Sequence, residues 1–143
     1  MVDLEKAKHS FDGSGFSFVA VKGENVFTSR KGGVIPLLEF IAEGVDLKGF
    51  SAADKVIGKA AALLMVYCGI RAAYTPVISK KALEVFENYG IYAEYDKLVE
   101  FISNRRNTGL CPMEEAVLNV DEPEKAYNAV LNKIELLKNN PPQ

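Results

Sequence analysis

Two short stretches of this chain hold side chains whose types and spacing suit chemistry. The first is Ser51-Ala52-Ala53-Asp54-Lys55-Val56-Ile57-Gly58-Lys59, followed by an apolar run that ends in Tyr67-Cys68-Gly69. Placed on a helix at about 100° per residue, Ser51, Asp54, Lys55, Gly58, Lys59 and Ala62 share one arc. Farther along, Met65 and Val66 fill that arc, so its polar groups lie only near the start. There, unpaired N–H groups and the helix dipole favour an anion. On this view Gly58 and Ala62 floor a recess, Asp54 is an acid/base and Lys59 its electrostatic partner. The same residues also describe a partly exposed helix start, with Asp54 a first-turn acid and the lysines solvated.

The second stretch is Asn104-Arg105-Arg106-Asn107-Thr108-Gly109-Leu110-Cys111-Pro112-Met113-Glu114. It reads as a loop and a helix start, with Cys111 at the N-cap, Pro112 at the first helical position and Glu114 at the third. A thiol at a helix start near arginines can be nucleophilic. No histidine lies nearby as its base: His9, the only one, sits in a charged N-terminal segment that suits solvent. A thiol enzyme is therefore the weaker reading, and a loop that holds an anion through Arg105, Thr108 and the helix start the stronger. His9, Cys68 and Cys111 lack the spacing of zinc pairs, and the acids around Asp121 lack that of a calcium loop. No metal and no cofactor is expected.

Several elements are needed to position these groups. Val2 to Phe11 has helical spacing of Leu4, Ala7 and Phe11. Phe16–Val21 and Val26–Ser29, joined by Lys22–Asn25, form a β-hairpin. Arg30-Lys31-Gly32-Gly33 is a turn, or a place where an anion meets the backbone, before a helix over Pro36–Glu43. Ser51 and Asp54 resemble a capping box opening a long buried helix that Gly69 closes. Arg71–Ile78 is a strand, with Pro76 as an objection to a central place. Ser79 caps a helix over Lys80–Tyr89, Gly90 stops it, and Ile91–Tyr95 is a short strand. Asp96 caps a helix through Ile102, and another runs from Cys111 to Val120. Asp121 caps the last, whose stripe is Ala126, Val130, Ile134 and Leu137; Asn139–Gln143 frays. Strand–helix–strand over 72–95 predicts parallel pairing with a right-handed crossover. The whole, 1–143, reads as a single α/β domain, a three-layer α/β/α sandwich with a mixed sheet, whose ligands bind beyond the carboxyl ends of strands.

Composition narrows the function classes. With 143 residues, 48 % hydrophobic and 25 % charged, the chain can bury one real core. A net charge of −2 gives nucleic-acid binding no support. No apolar run reaches the roughly 20 residues of a membrane span, and no secretory signal is visible. Two distant cysteines suit a reducing cytoplasm.

Taken together, Ser51–Ala61 and Thr108-Gly109-Leu110-Cys111-Pro112-Met113-Glu114 resemble a domain-of-unknown-function family of small prokaryotic proteins with a cytidine-deaminase-like fold. The resemblance implies that the central helix stands where zinc deaminases carry His-x-Glu or Cys-x-Glu, and that the helix after Ile78 stands where they carry Pro-Cys-x-x-Cys. This chain has Ser51, Asp54 and Lys55 at the first place and Ser79-Lys80-Lys81-Ala82 at the second. Zinc-dependent deamination is therefore not expected. The fold would bring Asp54, Lys59 and Ser79 together around one pocket, with Thr108, Cys111 and Glu114 from the later loop. The expectation is a protein that binds a small anionic or nucleotide-like metabolite there. The alternatives are a non-catalytic regulatory module or a Cys111-dependent thiol enzyme. A homo-oligomer is compatible with either.

Overall fold

The computed structural model describes residues 2–139. Its elements are helix α1 (Val2–Phe11), the hairpin β1 (Phe18–Lys22) and β2 (Asn25–Ser29), α2 (Ile35–Ala42), two short strands β3 (Ser51–Asp54) and β4 (Val56–Ile57), α3 (Lys59–Cys68), β5 (Ala72–Ser79), α4 (Lys80–Tyr89), β6 (Tyr92–Val99), α5 (Pro112–Ala116) and α6 (Pro123–Asn139). β3 and β4 run along one edge of β5, and β6 along the other, all parallel. β1 joins β3 antiparallel and carries β2 at the far edge. The sheet is mixed and lies between helices. On one face Leu4, Ala7 and Phe11 of α1 meet Val19, Val21, Ala53 and Tyr74. On the other, α2 to α6 close the main core over Phe18, Ala20, Ala52, Ala73, Ile57 and Ile78.

The expected hairpin, the parallel β5–α4–β6 unit and the Ser79 cap are all present; the Ser79 hydroxyl accepts the Ala82 N–H at 3.1 Å. The long helix from Ser51 is not. Residues 51–54 and 56–57 are strands, and the helix starts only at Lys59. Ser51 and Asp54 therefore form no capping box, and no helical arc unites Ser51, Asp54 and Lys55 with Lys59. Ser-Ala-Ala-Asp is buried at every position. A strand covered on both faces has no alternation, and its alanines imitate a helix.

Asp96 caps no helix: it is a residue of β6, which continues to Val99, and it accepts the Tyr74 hydroxyl at 2.6 Å. The helix after Cys111 ends at Ala116 and not at Val120. The Ala126 N–H bonds to the Glu122 carbonyl, which puts Glu122 and not Asp121 at the start of α6. The Arg30–Gly33 segment is a turn in which Arg30 lies over the Phe16 ring and Lys31 pairs with Glu39. Asn139 ends α6, and residues 140–143 of the expected frayed tail lie outside the described residues.

Pro76 is tolerated inside β5 because the ladder breaks there. Ala53 pairs with Tyr74 and Val56 with Val77, which leaves Asp54-Lys55 opposite Thr75-Pro76 without pairing. A proline has no N–H to give. The break also slips both strands by one residue. Ala52 and Ile57 share one core, as do Ala73 and Ile78, although five positions would put them on opposite faces of a regular strand. Among the described residues no helix is long and apolar enough to cross a membrane.

Candidate functional site

β4 and β5 end side by side, Ile57 paired with Ile78, so α3 and α4 start as neighbours at the carboxyl edge of the sheet. The two starts are built differently. α3 has Gly58 at its N-cap and no side chain of its own to bond its first N–H groups. Glu114, from α5, does so across 55 residues of sequence. Its Oε1 accepts the Lys59 N–H at 2.7 Å and its Oε2 the Ala60 N–H at 2.8 Å. The carboxylate is buried, and both its charge and its bonds suit a helix N-terminus. Gly58 is what lets it approach. A Cβ there would overlap Glu114 Oε1, and would stand 2.6 Å from its Cδ and 2.9 Å from Ile102 Cγ1.

Lys59 is equally committed. Its ammonium donates to the Val117 carbonyl at 3.0 Å and the Leu118 carbonyl at 3.4 Å, and pairs with Asp121 at 3.0 Å. Three acceptors use its three donors. Thus α3 starts against a strap, residues 112–121, that supplies both the anion for its N–H groups and the acceptors for its first side chain.

α4 has Ser79 as cap but no acid in its first turn, and Lys80 and Lys81 stand there instead. Cations at a helix start add to the positive end of the dipole. Lys80 pairs with Glu100; Lys81 reaches only Glu84, at 3.8 Å and on the exposed surface. Beside this start is a cavity of about 180 Å³ lined by Ser79, Lys81, Lys59, the carboxylates Glu100 and Glu114, and the apolar Phe101, Leu110 and Leu118. Across Glu114 lies a smaller cavity of about 100 Å³, bordered by Gly58, Ile102, Cys111 and Met113.

Of the residues expected at a site, Ser79 and Glu114 do meet at the larger cavity, and Lys59 reaches it. Gly58 and Cys111 border the smaller one. Asp54 lines neither: it is a buried strand residue placed where the ladder between β3/β4 and β5 breaks. Burial pushes this carboxyl up to about 8, outweighing the pull of the nearby Lys55 and Val56 backbone amides toward the charged form. Lys55 is exposed, its N–H bonded to the Ser17 carbonyl. Ser51 lies at the opposite end of β3, against α1. Arg105 and Thr108 are in an exposed loop where Thr108 bonds to Asn104, and they line neither cavity. Cys111 has no histidine or cation among its neighbours in the small cavity. Cys68 packs at the core edge, where burial pushes its thiol up to about 11.

Sequence reasoning missed Lys81, Phe101, Leu110 and Leu118. A usable signal was the pair of lysines directly after a capping serine. The two helix starts bring together Gly58, Lys59, Ser79 and Lys80, none of which is a usual zinc ligand. Among the described residues no three His, Cys, Asp or Glu side chains group so as to hold a metal ion.

The fold and these paired helix starts define an α/β protein with a cavity at the carboxyl edge of its sheet. The chain belongs to the TM1506 family, described as a domain of unknown function (DUF1893), whose sequence model matches residues 6–134. It is similar to a DUF1893 family protein (TM1506) of Thermotoga maritima, with 32 % identity and a TM-score of 0.83 over 92 % of this chain and 90 % of that one. A diaminohydroxyphosphoribosylaminopyrimidine deaminase/5-amino-6-(5-phosphoribosylamino)uracil reductase of the same organism aligns at 18 % identity and a TM-score of 0.40, over 66 % of this chain and 34 % of that one. No curated protein matches the chain.

Proposed function

We propose that this protein is a small-molecule binding module whose ligand joins an anionic group to a flat or apolar body, held in the cavity beside α4. The observation that carries this reading is the start of α4. Two lysines stand there with no acid in the first turn; Lys80 pairs with Glu100, Lys81 is left to the cavity, and its walls include Phe101, Leu110 and Leu118 beside Glu114. An anion at the helix start is favoured by free N–H groups, dipole and Lys81 together, and an aromatic or apolar body would lie against Phe101, half of whose surface is open. At about 180 Å³ the cavity is smaller than the roughly 300–1,000 Å³ of enclosing ligand sites. A nucleotide would therefore place its phosphate inside and its base outside, on Phe101. The α3 start has no part in this role, since Glu114 and Lys59 are both spent on the fold. Binding without catalysis follows, in a reducing cytoplasm that keeps Cys68 and Cys111 as thiols.

Calorimetric titration with phenyl phosphate and nucleoside monophosphates tests the reading. Saturable binding at about millimolar affinity or better is expected, weakened by Lys81→Ala and by Phe101→Ala. Failure of every such anion to bind, or equal binding by both variants, would sink it.

A further inference from the structure

We propose that the chain carries a second binding site, for a zwitterion of amino-acid size, at the amino ends of β3 and β5. It lies at the far end of the sheet from the cavity beside α4 and does not depend on that cavity's role. Here a cavity of about 240 Å³ is lined by Val2 and Asp3 of α1, Ser51 at the head of β3, and Arg71 just before β5.

Ser51 is the informative residue. It is only 2 % exposed, yet among the described residues its hydroxyl has no hydrogen-bond partner. Among the described residues no polar side-chain atom is both fully enclosed and unbonded, so this oxygen must open onto the cavity it lines. Buried hydroxyls are almost always bonded, and one left open toward a cavity points to an occupant. Arg71 and Asp3 complete the lining. The Arg71 guanidinium has no partner among the described residues. Asp3 gives one oxygen, Oδ1, to the Gly23 N–H at 3.2 Å and keeps the other. The two charges border one cavity without forming an ion pair within 4.0 Å.

A ligand with one charge would satisfy half of this lining. A simple anion would meet Arg71 and Ser51 but also the carboxylate of Asp3. An α-amino acid satisfies all of it. Its carboxylate takes the planar fork of Arg71 and the Ser51 hydroxyl, its ammonium takes Asp3, and its side chain passes Val2 toward solvent.

The test is a thermal-shift and calorimetric titration of the full chain with a panel of free L-amino acids, against acetate, ethylamine and inorganic phosphate. At least one amino acid should bind saturably with a Kd of about 1 mM or below. Acetate and ethylamine, each half of the ligand, should bind about tenfold more weakly or not at all. Arg71→Ala and Ser51→Ala should each weaken the amino acid about tenfold; the first is an exposed residue and the second loses one oxygen, so both should fold. Lys81→Ala should leave it unchanged. The proposal is overturned if no amino acid binds, if Arg71→Ala binds as wild type does, or if phosphate competes as well as the amino acid.

Discussion

The starts of α3 and α4 are adjacent, point the same way and follow paired strands, yet one is closed and the other open. At α3 the protein supplies its own anion, Glu114, and binds the first side chain, Lys59, with three acceptors. At α4 only Ser79 caps, and lysines are left where acids would be favoured. A helix start is an anion site by default, so the difference shows which of two equivalent positions the fold has used up. Groups at α3 should govern stability, whereas groups at α4 should govern binding.

The largest effect is expected from Asp54, in the strand that leads to α3. Its native carboxyl is pushed up to about 8, against an ordinary value of 3.8. The native state therefore holds a proton that the unfolded state has lost, and stability falls as pH rises from about 4 through about 8. Between about pH 5 and pH 8 the loss should be on the order of 4 kcal/mol, and Asp54→Asn should abolish it. Urea titrations across that range check this; parallel curves for the two proteins would contradict it. Next comes Glu114→Ala, which strips two charge-assisted bonds and leaves N–H groups buried, at a cost of about 3 kcal/mol. Glu114→Gln should cost roughly half as much, and acetate should raise the melting temperature of the alanine variant more than that of wild type. A cost below about 0.5 kcal/mol would mean that α3 is not closed by Glu114 at all.

Gly58→Ala should cost about 2 kcal/mol by crowding the same carboxylate. Part of that cost should vanish when Glu114 is already alanine, with a coupling on the order of 1 kcal/mol in a double-mutant cycle. Additive costs would show that Gly58 serves something else. Smallest are Lys81→Ala and Phe101→Ala, each within about 0.5 kcal/mol of wild type in stability while changing phenyl phosphate affinity about tenfold. A large stability loss from Lys81→Ala would erase the contrast between the two starts.

Much of the fold was legible in the chain. The hairpin, the β5–α4–β6 unit and the α6 stripe follow from alternation, turn glycines and helical spacing. What escaped reading had physical causes. β3 is four small buried residues, with Ser51 and Asp54 spaced like a capping box. β6 is an edge strand whose polar residues carry no alternation, so Asp96 looked like a cap. Of the site, Ser79 and Glu114 were legible as residues but Glu114 not as a contact: its spacing suggested a cap for its own helix, and it caps another. The absence of any capping side chain at Gly58, before so apolar a helix, was the one hint that help comes from elsewhere.

The Glu114 contact also makes two amides into reporters. The N–H groups of Lys59 and Ala60 have no acceptor within α3, whereas the Ala62 N–H bonds to the Gly58 carbonyl at 3.0 Å. In hydrogen exchange, Lys59 and Ala60 are protected only while residues 112–121 stay seated, and Ala62 is protected by the helix itself. The gap between their exchange free energies is thus the stability of the strap alone, read at single residues in the unmodified protein.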